Sequence, residues 1–315
     1  MIVVTGGAGF IGSNLVGGLN ARGETEIVVV DDLTDGRKFA NLVGREIADY
    51  WDKDALFDRL RRPGAPKPRA VFHQGACAVT TEWNGRLMMD ANYRYSVEVL
   101  DYCLAERVPL IYASSAAVYG TSRTFAENDA VAERPLNVYG WSKLVFDRHV
   151  RRRLATASSQ VAGLRYFNVY GPGEAHKGRM ASIVYHLHHE VMEDGRARLF
   201  GAYDGYAAGE QRRDFVHVDD VVAVNLWLLD HPEVSGVFNV GTGRAATFNE
   251  VARAVIAWHG EGEIEYVPFP EELKSRYQSF TEADLAALRR AGYAGEFRGV
   301  DAGVPAYLDV LGRRP

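Results

Sequence analysis

Short, wholly apolar runs alternate with longer amphipathic stretches along the first half of the chain. Ile2–Thr5, Glu26–Val30, Ala70–His73, Leu110–Ala113 and Val161–Tyr166 have the length and β-branched content of strands buried on both faces. Between them, Phe10 to about Ala21, Met88–Arg107 and Tyr139 to about Arg153 have helical length and mixed polarity. This alternation predicts an α/β fold, a Rossmann-type doubly wound parallel sheet.

The pattern breaks after Tyr166. Asn168 to Arg213 holds a Gly171-Pro172-Gly173 turn, a helical stretch near Met180–Met192 and a Gly-rich loop at Gly201–Gly209. So long an interruption is expected to be functional or a small added lobe. Asp214–Val218 and the apolar helix Val221–Leu229 read as a return to the main sheet, with Val237–Val240 as a further strand. The predicted division is a dinucleotide-binding domain over 1–166 and 214–242, and a smaller, mainly C-terminal substrate lobe over 167–213 and 243–315. Arg61–Arg69 reads as an exposed loop.

Composition adds exclusions. The 315 residues are 47% hydrophobic and 24% charged, with net charge −5, which gives no electrostatic reason to expect nucleic acid. Two cysteines, Cys77 and Cys103, lie at no metal-ligand spacing, so neither a metal nor a disulfide framework is expected, and a reducing compartment is. No apolar run reaches the ~18 residues of a membrane span, and the N-terminus does not read as a signal peptide. A soluble cytoplasmic protein is the expectation.

The chemistry begins at Gly7-Ala8-Gly9-Phe10-Ile11-Gly12, a G-x-G-x-x-G turn, with Gly6 before it. Glycines here permit a tight turn and close approach to a pyrophosphate, which then faces the free N–H groups of the following helix. Alone the hexapeptide is weak. A strand before it, a helix after it and Asp31 about 20 residues on make a nicotinamide-cofactor site the expectation. Asp31 would bond the adenosine ribose, favouring NAD, whereas Arg37 and Lys38 offer a cation for a 2′-phosphate, favouring NADP. The residues alone leave that choice open.

Tyr139 and Lys143 stand at i and i+4, on one face of a helix. An ammonium beside a phenol lowers its pKa and suits it to exchange a proton with a substrate hydroxyl. Ser114-Ser115 closes a strand, where α/β sheets place ligand-binding groups, and a serine hydroxyl there can hold the reacting oxygen.

Thr5 to Gly12, Ser114-Ser115-Ala116-Ala117-Val118-Tyr119-Gly120 and Tyr139-x-x-x-Lys143 resemble the extended short-chain dehydrogenase/reductase superfamily, whose members act mostly on nucleotide-activated sugars. The resemblance implies a catalytic triad of Ser115, Tyr139 and Lys143. Within that superfamily the chain is similar almost end to end to the ADP-glyceromanno-heptose 6-epimerases. The similar segments include Asp31 to Phe39, His73 to Cys77, Thr80-Thr81-Glu82-Trp83, Phe167 to Pro172, His176 to Ser182 and Arg276-Tyr277-Gln278. The implied reaction inverts C6 of ADP-D-glycero-D-manno-heptose, a lipopolysaccharide core precursor, by transient oxidation and re-reduction with a cofactor that is never released. The ketone must flip, or a second acid–base group must act from the other side; the resemblance implies the second, with Lys177 opposite Tyr139.

The same resemblance implies a cofactor site of Gly6, Gly9, Phe10, Ile11, Gly12, Asp31, Asp32, Lys38, Lys53, Gln74, Gly75, Ala76, Cys77, Ala78, Asn92, Lys143, Val169 and Lys177, with Lys38 tipping the choice to NADP. It implies an ADP-sugar site of Asn168, Arg179, His186, Phe200, Gly201, Ala202, Tyr203, Arg213 and Tyr277, and a homo-oligomer. Arg213 fits independently, since a guanidinium pairs bidentately with a diphosphate. Arg179 stands where a small polar residue is expected, and Gly205–Gly209 reads as a short insertion. Sugar-nucleotide dehydration would need an Asp-Glu pair after the catalytic serine, where this chain has Ala116-Ala117. A UDP-sugar 4-epimerase and a non-catalytic NADP-binding regulator are the rival readings.

Overall fold

The computed structural model describes residues 1–312. The chain enters the main sheet through β1 (Ile2–Thr5), crosses α1 (Phe10–Ala21) and returns in β2 (Ile27–Asp31) and the edge strand β3 (Asp49–Asp52). After α2 (Leu56–Leu60) it passes to the other side of β1 as β4 (Ala70–His73). Then come α3 (Gly85–Met89), α4 (Tyr95–Glu106), β5 (Leu110–Ser115), α5 (Val138–Leu154) and β6 (Val161–Tyr166). Later segments are β7 (Asn168–Tyr170), α6 (Ile183–Asp194), β8 (Arg196–Phe200), β9 (Arg212–Arg213), β10 (Phe215–His217), α7 (Val218–Asp230) and β11 (Gly236–Val240). The chain ends with β12 (Ala246–Thr247), α8 (Phe248–His259), β13 (Glu263–Val267), α9 (Ala286–Arg290) and α10 (Val300–Gly312).

Seven strands form one parallel sheet in the order β11-β6-β5-β4-β1-β2-β3. Alternation within β1 explains its two faces. Ile2 and Val4 pack with Leu15, Val16 and Leu19 of α1 and Val221 of α7, while Val3 packs with Val99 of α4 and Phe146 of α5. The strand order reverses at β1 and β4, so their carboxyl ends diverge into a crevice, the usual ligand position in an open α/β sheet. A third core, built from Val184, Leu187, Leu199, Val251, Val255 and Leu308, holds α6, β8, α8 and α10 together beside that crevice.

Several expectations need correction. Asp214–Val218 does not return to the main sheet: β10 pairs with β7 in a separate two-stranded ladder. The position beside β6 is taken by β11 along five residues, and Val216 and Phe215 face different cores. The expected helix Met88–Arg107 contains a π-helical turn over Asp90–Arg94 between α3 and α4. The helix placed near Met180 starts at Ile183, capped by Ser182 on the Tyr185 N–H. Among the described residues no helix is long and apolar enough to cross a membrane.

Candidate active site

The crevice begins at the Gly turn. Gly6 has φ +66°, and a Cβ there would lie 2.6 Å from the Gly75 amide nitrogen. A Cβ on Gly12 would collide with the Gly6 carbonyl. The turn, α1 and the loop after β4 therefore pack backbone against backbone. Gly9 is the N-cap of α1 and offers no side-chain cap, so the first N–H groups remain free for an anion. That cradle fits a pyrophosphate.

Carboxylates and lysines alternate beyond β2. Asp31 accepts from the Ala8 N–H at 2.7 Å, which ties β2 to the turn, and from Lys38 Nζ at 2.6 Å. Lys53 pairs with Asp32 at 2.5 Å and holds that carboxyl well below the usual range. Arg37 is turned away, forked onto Asp35 through two bonds of 2.8 Å. Of the two candidate cations, Lys38 is thus the one held beside Asp31.

A cleft of about 640 Å³ opens from this crevice towards the third core. Phe10, Ile11, Gln74, Ala76 and Ala78 line its cofactor side; Ser115, Tyr139 and Lys143 stand at its floor; Val169 and Lys177 flank them. Asn168, Arg179, His186, Phe200, Arg213 and Tyr277 line the remainder. The structure therefore brings all four proposed catalytic side chains to one cavity. Other expected residues lie off its wall. Asn92 is fully buried, clasping both backbone groups of Cys77 at 2.7 and 3.0 Å, and so shapes the loop from beneath. The Gly75 N–H donates to Thr5 Oγ1 at 3.2 Å. Gly201 pairs with Val267, and the Tyr203 ring stacks on Phe269 at 4.1 Å, so this stretch backs the cleft.

The electrostatics differ from expectation at Tyr139. Burial raises its pKa, hydrogen bonding with Ser115 opposes that, and Lys143 exerts no resolved effect on it. Lys143 Nζ instead donates to the Ala113 carbonyl at 2.8 Å, and burial pushes its own pKa down to about 8. Burial likewise lowers Lys177, whose ammonium lies 5.2 Å from the Phe10 ring centroid. Arg213 is 7% exposed and pairs with no carboxylate among the described residues. It stacks on Tyr277 at 4.7 Å and meets the Arg212 carbonyl at 3.3 Å.

Sequence reasoning missed part of the wall: Thr80, Tyr166, Met180 to Ile183, Phe248, Gln278 and Thr281. The Ser182 cap was available as a signal, because a Ser before an apolar helical run marks an N-terminus. Glu174 fixes it by accepting from the Ser182 hydroxyl at 2.7 Å and from its N–H. Phe248 and Thr281 carry no motif and reach the cleft only through the tertiary fold.

Residues 2–241 match the model of the NAD dependent epimerase/dehydratase family. A curated ADP-L-glycero-D-manno-heptose-6-epimerase of Alkalilimnicola ehrlichii is 58% identical over 316 aligned positions, spanning 100% of this chain and 98% of that protein. The crystal structure of the Helicobacter pylori ADP-L-glycero-D-manno-heptose-6-epimerase superposes with TM-score 0.86 at 32% identity, covering 99% of this chain and 96% of that one. A Thermus thermophilus UDP-glucose 4-epimerase in complex with NAD superposes with TM-score 0.79 at 27% identity, covering 100% and 99%. With the parallel sheet, the glycine cradle and the Ser-Tyr-Lys floor already in place, these matches assign the chain to the NAD dependent epimerase/dehydratase family.

Proposed function

We propose that this protein inverts C6 of the heptose in ADP-D-glycero-β-D-manno-heptose, using bound NADP, with Tyr139 and Lys177 as opposed acid–base groups. The observation that carries the reading is a cleft onto which Tyr139 and Lys177 both open while none of the described residues that line it is a carboxylate. Dehydration would require an acid–base pair of the kind that wall lacks. Full-length similarity to a curated heptose epimerase supports the sugar assignment.

The Gly6–Gly12 turn and the α1 N-terminus would hold the pyrophosphate, and the nicotinamide supplies reversible two-electron redox chemistry when bound. Asp31 neutralised by Lys38, and Asp32 by Lys53, leave no uncompensated negative charge at the ribose end. A 2′-phosphate meets less repulsion there than beside a lone aspartate, which favours NADP. Ser115 holds the C6 oxygen, and Tyr139, a neutral phenol in the free protein that acts once ionised, takes its proton. Lys143 keeps positive charge at the floor. The planar C6 ketone must turn its other face before it is reduced again; its oxygen then regains a proton from the opposite side, where Lys177 stands, and Tyr139 and Lys177 reset by proton exchange with solvent. Burial lowers the pKa of Lys177 and so eases that proton exchange near neutrality. Arg213 receives the diphosphate, and His186, Arg179 and Asn168 face the ADP-sugar.

We assign 1–166 and 214–242 to cofactor binding and 167–213 and 243–315 to the substrate, with Arg313 to Pro315 outside the described residues. We place the protein in the cytoplasm, as a homo-oligomer; unpaired Cys77 and Cys103 suit a reducing compartment. Incubating the NADP-loaded protein separately with ADP-D-glycero-D-manno-heptose and UDP-galactose, with product NMR, tests the reading. Inversion at C6 of the ADP-heptose is expected; conversion of UDP-galactose alone would replace it with the 4-epimerase assignment.

A further inference from the structure

Beneath the cleft floor lies a buried ionic chain that the reaction as described does not use. Asp147 follows Lys143 by one turn of α5 and is fully buried. Its Oδ1 accepts from the Tyr112 hydroxyl at 3.0 Å. Its Oδ2 accepts from the Ser114 hydroxyl at 2.9 Å and from Arg165 Nε at 2.8 Å. Arg165, also fully buried, continues to Glu133 at 2.5 Å, and Glu133 takes Arg151 of α5 at 2.6 Å. The chain thus leaves α5 at Asp147, crosses β5 and β6, and returns to α5 one turn later at Arg151.

We propose that Asp147 is a positioning residue of the reaction: its clamped carboxylate fixes the Tyr139–Lys143 helix against the strand that carries Ser115, and sets a negative charge one helical turn from Lys143. The proposal rests on the assignment of Tyr139, Lys143 and Ser115 as the reacting floor.

Three observations carry it. First, the donors to Asp147 come from Tyr112 and Ser114, alternate residues of β5, and from Arg165 of the neighbouring β6. One carboxylate therefore sets the height of the helix over both strands. Second, the connection is costly to leave incomplete. A buried carboxylate is tolerated only when its lone pairs are satisfied, and removal of one member strands the others. Third, the groups around Lys143 leave Asp147 as the source of negative charge. Tyr139 on its own helix is neutral and raised by burial; His73 of β4 is held neutral by burial, with Lys143 opposing its protonation; Tyr112 of β5 is a buried phenol; Arg165 of β6 is itself a cation. Burial drives Lys143 towards its neutral form and Asp147 opposes that.

The test is Asp147→Asn in the NADP-loaded protein, read in two ways. Competitive acylation of lysines from pH 6 to 11, with mass spectrometry of the Lys143 peptide, follows that ammonium independently of any substrate. Its titration midpoint is expected to fall by about one pH unit, a tenfold change in the charged fraction above the midpoint. In the epimerase assay, kcat at pH 8 is expected to fall about tenfold, KM to stay within twofold, and the alkaline limb of the kcat profile to move to lower pH. An unmoved Lys143 midpoint with an unmoved alkaline limb would overturn the proposal. If wild-type protein does not turn over ADP-heptose, the functional assignment fails while the labelling result still decides the role of Asp147. Should Asp147→Asn not fold, Tyr112→Phe removes one clamp outside the cleft and leaves the charge. A roughly threefold loss of kcat at constant KM supports the clamp, and wild-type kcat refutes it.

Discussion

Replacing Arg213 with Met should stabilise the free enzyme and cripple its hold on the nucleotide sugar. The free protein keeps this guanidinium 7% exposed with no carboxylate partner among the described residues. Effective desolvation of such a charge costs several kcal/mol. The Tyr277 ring at 4.7 Å returns about 0.5–2 kcal/mol. The Arg212 carbonyl at 3.3 Å is a long bond and returns less than the ~1.5–3 kcal/mol of a good charged one. The remainder leaves the free state roughly 1–3 kcal/mol less stable than it would be with an apolar side chain of similar length. That should appear as a rise in melting temperature of about 1–2 °C per kcal/mol. A diphosphate in the cleft reverses the balance, because it supplies the missing anion. Loss of a buried charge pair costs about 2–5 kcal/mol, or roughly 30- to 4,000-fold in affinity. Scanning calorimetry of the free variant and titration calorimetry with ADP and ADP-heptose measure both halves. A variant that melts lower than wild type and binds ADP unchanged would refute the argument at both ends.

Tyr139→Phe should remain folded and bind NADPH normally while turnover drops by about 10²–10⁴-fold, the usual worth of a general acid–base group; unchanged turnover would remove Tyr139 from the chemistry. Gly12→Ala places a Cβ 2.8 Å from the Gly6 carbonyl carbon and closer still to its oxygen. Overpacking against fixed backbone costs about 1–3 kcal/mol and should outweigh the ~1 kcal/mol gained in helix propensity, so NADPH affinity and melting temperature fall together. A higher melting temperature with intact affinity would show that the turn has slack. Stability should also fall on acidification. His73 is buried and pushed down from 6.5 to about 3, so between those values the unfolded chain binds a proton that the folded chain refuses. Stability is therefore lost as pH drops below 6.5, by up to about 1.4 kcal/mol per unit. His73→Gln should flatten urea-midpoint curves from pH 6.5 to 4, and parallel slopes would exclude His73 as the source.

Local pattern made the main sheet legible where both faces are apolar. Ile2–Thr5, Ala70–His73 and Val161–Tyr166 are strands to the residue. The edge strand Asp49–Asp52 escaped notice because only Trp51 is buried, leaving no apolar run to read. β10 has the composition of a sheet strand yet joins β7, since whether the place beside β6 was vacant depended on β11, about 20 residues further on. In the site, motif-bearing residues such as Ser115, Tyr139 and Lys177 could be placed on one cavity in advance. The state of their protons could not. Tyr-Lys spacing suggested that the ammonium lowers the phenol's pKa, but the Lys143 ammonium is engaged by the Ala113 carbonyl and both groups answer mainly to burial. Spacing fixes which face a side chain occupies; rotamer and desolvation decide what it does there.

Charge distribution shows most directly why whole-chain numbers mislead about the site. The chain carries net charge −5, yet the described residues that line its cleft include Lys143, Lys177, Arg179 and Arg213 and not one Asp or Glu. Lys143 and Arg213 are buried and Lys177 half-buried without a matched carboxylate among the described residues of the cleft wall; Asp147 behind the floor, the Ala113 carbonyl and the ring faces of Phe10 and Tyr277 temper that cost. A neutral sugar would not repay it. Two diphosphates would, one from the dinucleotide and one from the nucleotide sugar, and their arrival should raise the pKa of the lysines they approach. Burial lowers the Lys177 pKa in the free protein and a nearby diphosphate would raise it, so its proton affinity is coupled to occupancy of the cleft. A substrate lacking the diphosphate should then lose turnover as well as affinity, because nothing would offset the burial that disfavours the charged form of Lys177.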